Sequence, residues 1–211
     1  MSATDEAERV ESIPRALWER VRAEPDRAPE HIALAAAERF APAAERWAAA
    51  RLPYDEPAAV AKTALRKHVR LSRLEGAALG LGGAVTAAAD LVALGWIQCR
   101  MVFFIAAAYG YDPHHPMRPA ELLAIQQIYP TAEEARAGLD GVGKHMAVQF
   151  IESRRGNDDE LVKRLVMYAG KRAIRRGVLR VVPVVASPIA AVQNAKATSE
   201  VGKRALRFYG G

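Results

Sequence analysis

Residues 76–99 read GAALGLGGAVTAAADLVALGWIQC, and residues 100–111 continue as RMVFFIAAAYGY. Asp90 is the only charge in the first of these stretches. A run this apolar must lie in a protein core or in lipid. A bilayer needs about 20 apolar residues in a helix, so the length suffices. The composition argues the other way. Glycines at 76, 80, 82 and 83 lower helix propensity, and a mid-helix Asp90 costs about 2.5–3.5 kcal/mol on insertion. Gly76, Gly80, Ala84 and Ala88 recur every fourth residue, a small-residue seam that lets two helices approach closely. Three arrangements are compatible with it: the centre of a soluble bundle, an apolar hairpin touching one leaflet, or a spanning hairpin. The mean hydropathy of −0.07 and the amphipathic helices on either side favour them in that order.

Asp90 and Arg100 lie about 1000° apart on a continuous helix, or 280° after full turns, so they would not share a face. A direct pair requires a break near Gly95. Otherwise each is a buried charge held by backbone or by a side chain from another helix.

Working outward, Pro, Gly and capping residues bound a series of helices, and no alternating β-branched run appears. A first amphipathic helix is expected from Thr4 to Ala23, with Pro14 kinking or splitting it. A second runs from Pro29 to Arg51. A third starts after Asp55 with Pro57 in its first turn and carries the cations Lys62, Arg66, Lys67, Arg70 and Arg73. Beyond the apolar stretch, a helix from Pro119 to Tyr129 precedes one capped by Thr131, with Glu134 reaching back. That helix extends to Arg155, with Gly141 and Gly143 marking a weak point. Asn157 caps another, whose apolar stripe of Val162, Val166, Ala169 and Ala173 opposes Arg164, Lys171 and Arg175. An apolar turn containing Pro183 and Pro188 leads to a terminal helix over TSEVGKRALRFY.

Charge is segregated along the chain. Residues 1–60 hold 8 basic and 12 acidic side chains, whereas residues 161–211 hold 11 basic and one acidic. The basic end fits an anionic partner, or else balances acid elsewhere on the molecule. Its aromatics Tyr168, Phe208 and Tyr209 are too sparse for a base-stacking platform, which disfavours nucleic acid. Cys99 is the single cysteine and reads as a buried thiol in a reducing compartment. The polar, acidic N-terminus lacks the pattern of an export signal.

No phosphate loop, dinucleotide fingerprint, nucleophile elbow or zinc motif is present. Asp112, His114 and His115 form a D-x-H-H group with the right chemistry for a metal, but a solvated loop with Asp112 closing its turn is the stronger reading. His68, set among Arg66, Lys67 and Arg70, reads as part of a basic face where protonation is disfavoured. His31 and His145 are lone helical histidines.

Residues 66–83, RKHVRLSRLEGAALGLGG, and 87–112, AAADLVALGWIQCRMVFFIAAAYGYD, together resemble the EcsC family. The shared pattern is a basic stretch running into Glu75-Gly76, then Gly80 and Gly82-Gly83, Asp90, Arg100 and the Tyr109-Gly110-Tyr111-Asp112 ending. Residues 181–209, VVPVVASPIAAVQNAKATSEVGKRALRFY, also resemble the family's closing segment, with Ala186 where the pattern has glycine. The resemblance covers residues 55–211. The family is named for a protein encoded beside a bacterial ABC transporter, and the resemblance implies membrane association and transfers no catalytic residues. It singles out Glu75, Gly76, Gly80, Gly83, Asp90, Arg100, Tyr109, Gly110 and Asp112.

These readings predict an all-α, compact multi-helix bundle around a central Gly/Ala-rich apolar hairpin, with an acidic helical extension over 1–54 and an EcsC-like domain over 55–211. The expected function is non-enzymatic: a bacterial protein of scaffolding or regulatory role at the inner face of the cytoplasmic membrane. The alternative is a soluble protein-interaction module. Expected partners are an anionic membrane surface, contacted by Arg164, Lys171, Arg172, Arg175 and Arg176, another protein, or a second copy through the small-residue seam. No cofactor or metal is expected.

Overall fold

The computed structural model describes residues 13–78, 84–149 and 188–211, with side chains outside 75–90, 143–149 and 188–191. Seven α-helices span the described residues: α1 (Arg15–Ala23), α2 (Ala28–Ala49), α3 (Pro57–Ala78), α4 (Ala84–Ala108), α5 (Arg118–Ile125), α6 (Ala132–Gln149) and α7 (Pro188–Gly210). A single 3-10 turn, Pro25–Arg27, joins α1 to α2. No strand occurs among the described residues.

The organising element is α4. Every residue from Cys99 to Ala108 is buried, as expected of a helix that is apolar all round. It is uninterrupted through Gly95, so Asp90 and Arg100 belong to one continuous helix and no break brings them together. Of the span Leu91–Ala108, long and apolar enough to cross a membrane, 72% is buried within the fold. Gly76 falls in the last turns of α3, so the two arms of the apolar hairpin are the end of α3 and α4.

Helix α2 covers one side of α4 through aromatic pairs: Phe40 against Trp96 at 4.6 Å and Trp47 against Phe104 at 5.1 Å between ring centroids. Buried Ala33, Ala36, Ala44 and Ala48 admit the close approach. Helices α3 and α7 form the opposite layer and pack most extensively on each other. Gly202 of α7 lies where an added Cβ would meet Leu65 of α3 and Met101 of α4, and Gly210 abuts Tyr109. Both contacts advance eight residues, so α7 runs parallel to α4. With Leu65 level with Met101, a parallel α3 would put Ala78 about 45 Å from Ala84. The intervening chain spans at most about 20 Å, so α3 runs antiparallel to both.

Several boundaries differ from those expected. Helix α1 begins after Pro14, and the expected start at Thr4 lies outside the described residues. Pro42 sits inside α2 without ending it. Helix α6 continues through Gly141 and Gly143. The segment after Pro188 belongs to one 23-residue helix with the C-terminal sequence, because proline is well placed in a first turn. Thr131 Oγ1 accepts the Glu134 N–H at 3.2 Å as the cap of α6, and the Glu133 pKa is lowered by its own backbone N–H and then by the Thr131 side chain.

One hydrophobic core runs from Leu17 to Tyr209. The expected boundary at 54/55 falls in the connection between α2 and α3, and residues 13–54 share their core with the rest. Gly80 and Gly83 of the expected seam and step, the helix capped by Asn157, the cations Arg164, Lys171, Arg172, Arg175 and Arg176, and the side chains of Glu75, Ala84, Ala88, Asp90 and His145 lie outside the described residues.

Candidate functional site

The Tyr109–Asp112 motif is the stop signal of α4. Gly110 adopts φ +79°, its N–H bonds the Ala107 carbonyl at 3.0 Å, and the Tyr111 N–H bonds the Ala106 carbonyl at 3.1 Å. This is the double closure of a Schellman cap. Asp112 Oδ1 then accepts the His114 N–H at 2.8 Å, closing an Asx turn. His114 Nε2 turns away to Glu45 Oε2 at 3.3 Å, and His115 Nδ1 accepts the Met117 N–H at 3.2 Å. The D-x-H-H side chains are thus engaged in separate local bonds, and no cluster of three metal-ligating side chains forms among the described residues.

Around this stop lies a polar cluster that the sequence did not announce. Arg118 is ion-paired with Glu121 and donates from Nε to the Asp112 carbonyl at 2.9 Å. Its guanidinium faces the rings of Tyr111 and Tyr209 at 5.3 and 5.5 Å, and Tyr209 Oη donates to Glu121 Oε2 at 2.8 Å. Burial and the Glu121 carboxylate raise the Tyr209 pKa. The cluster fastens the end of α7 to the start of α5. Its one sequence cue was an Arg and a Glu three residues apart in the otherwise apolar RPAELLAI.

Arg100 occupies the interior. It is 4% exposed, with its guanidinium 5.3 Å from the Phe104 ring and 5.8 Å from that of Phe40, an arrangement that favours a cation. His68 packs edge-on against Phe104 at 5.4 Å and donates from Nδ1 to the Ala64 carbonyl at 2.7 Å. It is therefore a core residue, not part of a basic face. Burial above all, with the Arg100 and Lys67 charges adding to it, pushes its pKa down to about 3. Buried His68 Nε2, Trp96 Nε1 and Thr198 Oγ1 have no hydrogen-bond partner among the described residues. Cys99 is a buried free thiol whose pKa desolvation pushes up to about 12. A third buried group sits at the start of α2, where His31 Nε2 meets Glu24 Oε2 at 2.8 Å and Tyr129 Oη donates to Glu30 Oε1 at 2.5 Å. Gly138 makes room for the Tyr129 ring.

The outside of the α3–α7 layer is of another character. Lys62, Arg66, Arg70 and Arg73 are all exposed and fall within about 80° of one another on α3, opposite buried Val60, Ala64 and His68. Arg66 bonds Thr63 at 3.2 Å, and no carboxylate pairs with any of the four among the described residues. Helix α7 adds exposed Lys196, Lys203 and Arg207, with Glu200 engaged by Lys203 at 2.9 Å. On α1, by contrast, Arg15 is matched by Glu19 at 3.4 Å.

Sealed polar clusters around a buried apolar helix, under an outward basic layer, define an all-α helical-bundle protein. The chain belongs to the EcsC protein family, which it matches over residues 31–210. The match begins within α2, earlier than the resemblance from 55 onward had suggested, in keeping with the shared α2–α4 core. No curated protein and no solved structure matches the chain.

Proposed function

We propose that this is a non-enzymatic, membrane-associated protein of the EcsC type, with a scaffolding or regulatory role at the inner face of the cytoplasmic membrane. The observation that carries this reading is the basic face of α3. Four cations on one stripe, with no carboxylate paired to them among the described residues, create a one-sided positive field, and each contributes about 1 kcal/mol against an anionic leaflet. The burial of α4 supports peripheral attachment in preference to insertion of that helix. The sealing of Arg100, His68 and Cys99 supports a role without turnover.

Co-sedimentation with phosphatidylglycerol-containing vesicles at low salt tests the reading. The protein is expected to pellet, to be released as salt shortens the screening length to about 3 Å near 1 M, and to ignore neutral vesicles. Replacing Lys62, Arg66, Arg70 and Arg73 by Gln should lower binding by roughly two orders of magnitude or more. A protein that stays in the supernatant with anionic vesicles at low salt is not membrane-associated by this face. The basic layer then becomes the surface of a soluble interaction module.

A further inference from the structure

Two exposed aliphatic side chains mark one end of the basic layer. Leu74, near the end of α3, is 59% exposed, and Val192, near the start of α7, is 62% exposed. Because α3 and α7 run antiparallel, with Leu65 against Gly202, both residues lie toward the same end of the bundle. Leu74 is nine residues beyond that contact and Val192 ten residues before it. Each has an exposed cation one turn nearer the middle of the bundle: Arg70 four residues before Leu74, and Lys196 four residues after Val192. Arg73 joins the first pair. Positions four apart share a helix face, so each helix presents an aliphatic tip with a cation about 6 Å behind it. No carboxylate pairs with Arg70, Arg73 or Lys196 among the described residues.

Single exposed aliphatics are ordinary on a protein surface. The same order on two neighbouring antiparallel helices, apolar outward and basic inward, is the order of a bilayer interface. Aliphatic groups enter about 5–10 Å at the headgroup–acyl boundary, while Lys and Arg stems reach back to the phosphates.

We infer that the protein docks on anionic membrane with this end lowermost, Leu74 and Val192 entering the acyl boundary and Arg70, Arg73 and Lys196 seated among the headgroups. The inference rests on the membrane reading above and adds the contact site and the orientation.

Cys99 is buried, so a polarity-sensitive fluorophore can be placed on Leu74→Cys, Val192→Cys or, at the opposite end of the bundle just before α3, exposed Asp55→Cys. With vesicles of phosphatidylcholine and about one-third phosphatidylglycerol, emission from positions 74 and 192 should move to the blue and be quenched by acyl-chain quenchers. Position 55 should not respond. Without any label, Leu74→Ser with Val192→Ser should lower the partition coefficient roughly tenfold, while circular dichroism stays unchanged. If the protein pellets with these vesicles but positions 74 and 192 show no shift and the serine variant binds as wild type, the insertion site is wrong and the membrane reading stands. If it never pellets, both fall.

Discussion

At the scale of single residues, the two helix stops of α4 and α5 make an informative pair. Gly110 and Gln127 both take positive φ, +79° and +60°, and both close Schellman caps; Ile128 N–H reaches the Leu123 carbonyl at 2.9 Å in the second. Glycine is strain-free there, whereas glutamine carries the cost of its Cβ, about 1 kcal/mol. Nothing lies within 4 Å of a Cβ added at Gly110, so Gly110→Ala isolates the backbone effect. Chemical denaturation should show it less stable by about 1 kcal/mol, while Gln127→Gly gains roughly 0.5–1 kcal/mol. Gly110 is visible in the sequence as punctuation, but Gln127 is not, because no local signal distinguishes a glutamine held in the left-handed region from one in a helix. His68 was misplaced for a related reason. Its basic neighbours suggested an exposed face, yet it lies a fraction of a turn away from them, against Phe104. Folded His68 stays neutral down to about pH 3, while the unfolded chain protonates it below about 6.5. The unfolded state therefore binds more protons in that window, and stability is complete above pH 6.5 and falls as pH drops toward 3. Denaturation between pH 6.5 and 5, above most carboxylate titrations, should show this decline, and His68→Leu should remove it.

At the scale of elements, the α3–α7 contact depends on one missing side chain. A Cβ at Gly202 would collide with Leu65 and lie 3.0 Å from Met101 Sδ. Gly202→Ala should cost about 1–3 kcal/mol by overpacking. Leu65→Ala alone should cost about 2–5 kcal/mol through the cavity it leaves. Combined, they should cost less than the sum, because the new methyl enters the vacated space; strict additivity in a double-mutant cycle would show that the helices shift apart instead. Among the described residues, helix existence and type were readable from proline, glycine and apolar spacing. Helix ends were less so. Pro188 begins a helix that the sequence seemed to start at Thr198, since proline interrupts a helix only when it is not in the first turn. Gly141 and Gly143 lower propensity without breaking α6, whose packing on α5 outweighs a local cost of about 1 kcal/mol each.

At the scale of the molecule, α2 and α4 are one core. Truncation to residues 55–211 would remove Phe40 and Trp47 and uncover Trp96, Phe104 and Arg100, so that form should fail to give a cooperative thermal transition, whereas the full chain should unfold in a single step. An isolated, stably folded 55–211 fragment would show that α2 is dispensable. The extension over 1–54 was drawn from where the family resemblance began, at 55, whereas the family match starts at residue 31; α2 hides its alanines and aromatics behind its charged side. The cluster of Arg118, Glu121 and Tyr209 escaped for another reason. Tyr209 comes from a stretch 88 residues away from Glu121 and meets the pair only when α7 lies along α4.

The place of α7 in the chain has a consequence in time. Helix α7 covers α4, yet about 100 residues are translated between Ala108 and Tyr209, which at 5–20 residues per second takes roughly 5–20 s. Throughout that interval the nascent chain holds a complete apolar helix with one flank still open. Ribosome-bound intermediates stalled between residues 110 and 190 should therefore be the forms most heavily engaged by chaperones, and release from them should coincide with the emergence of the final helix.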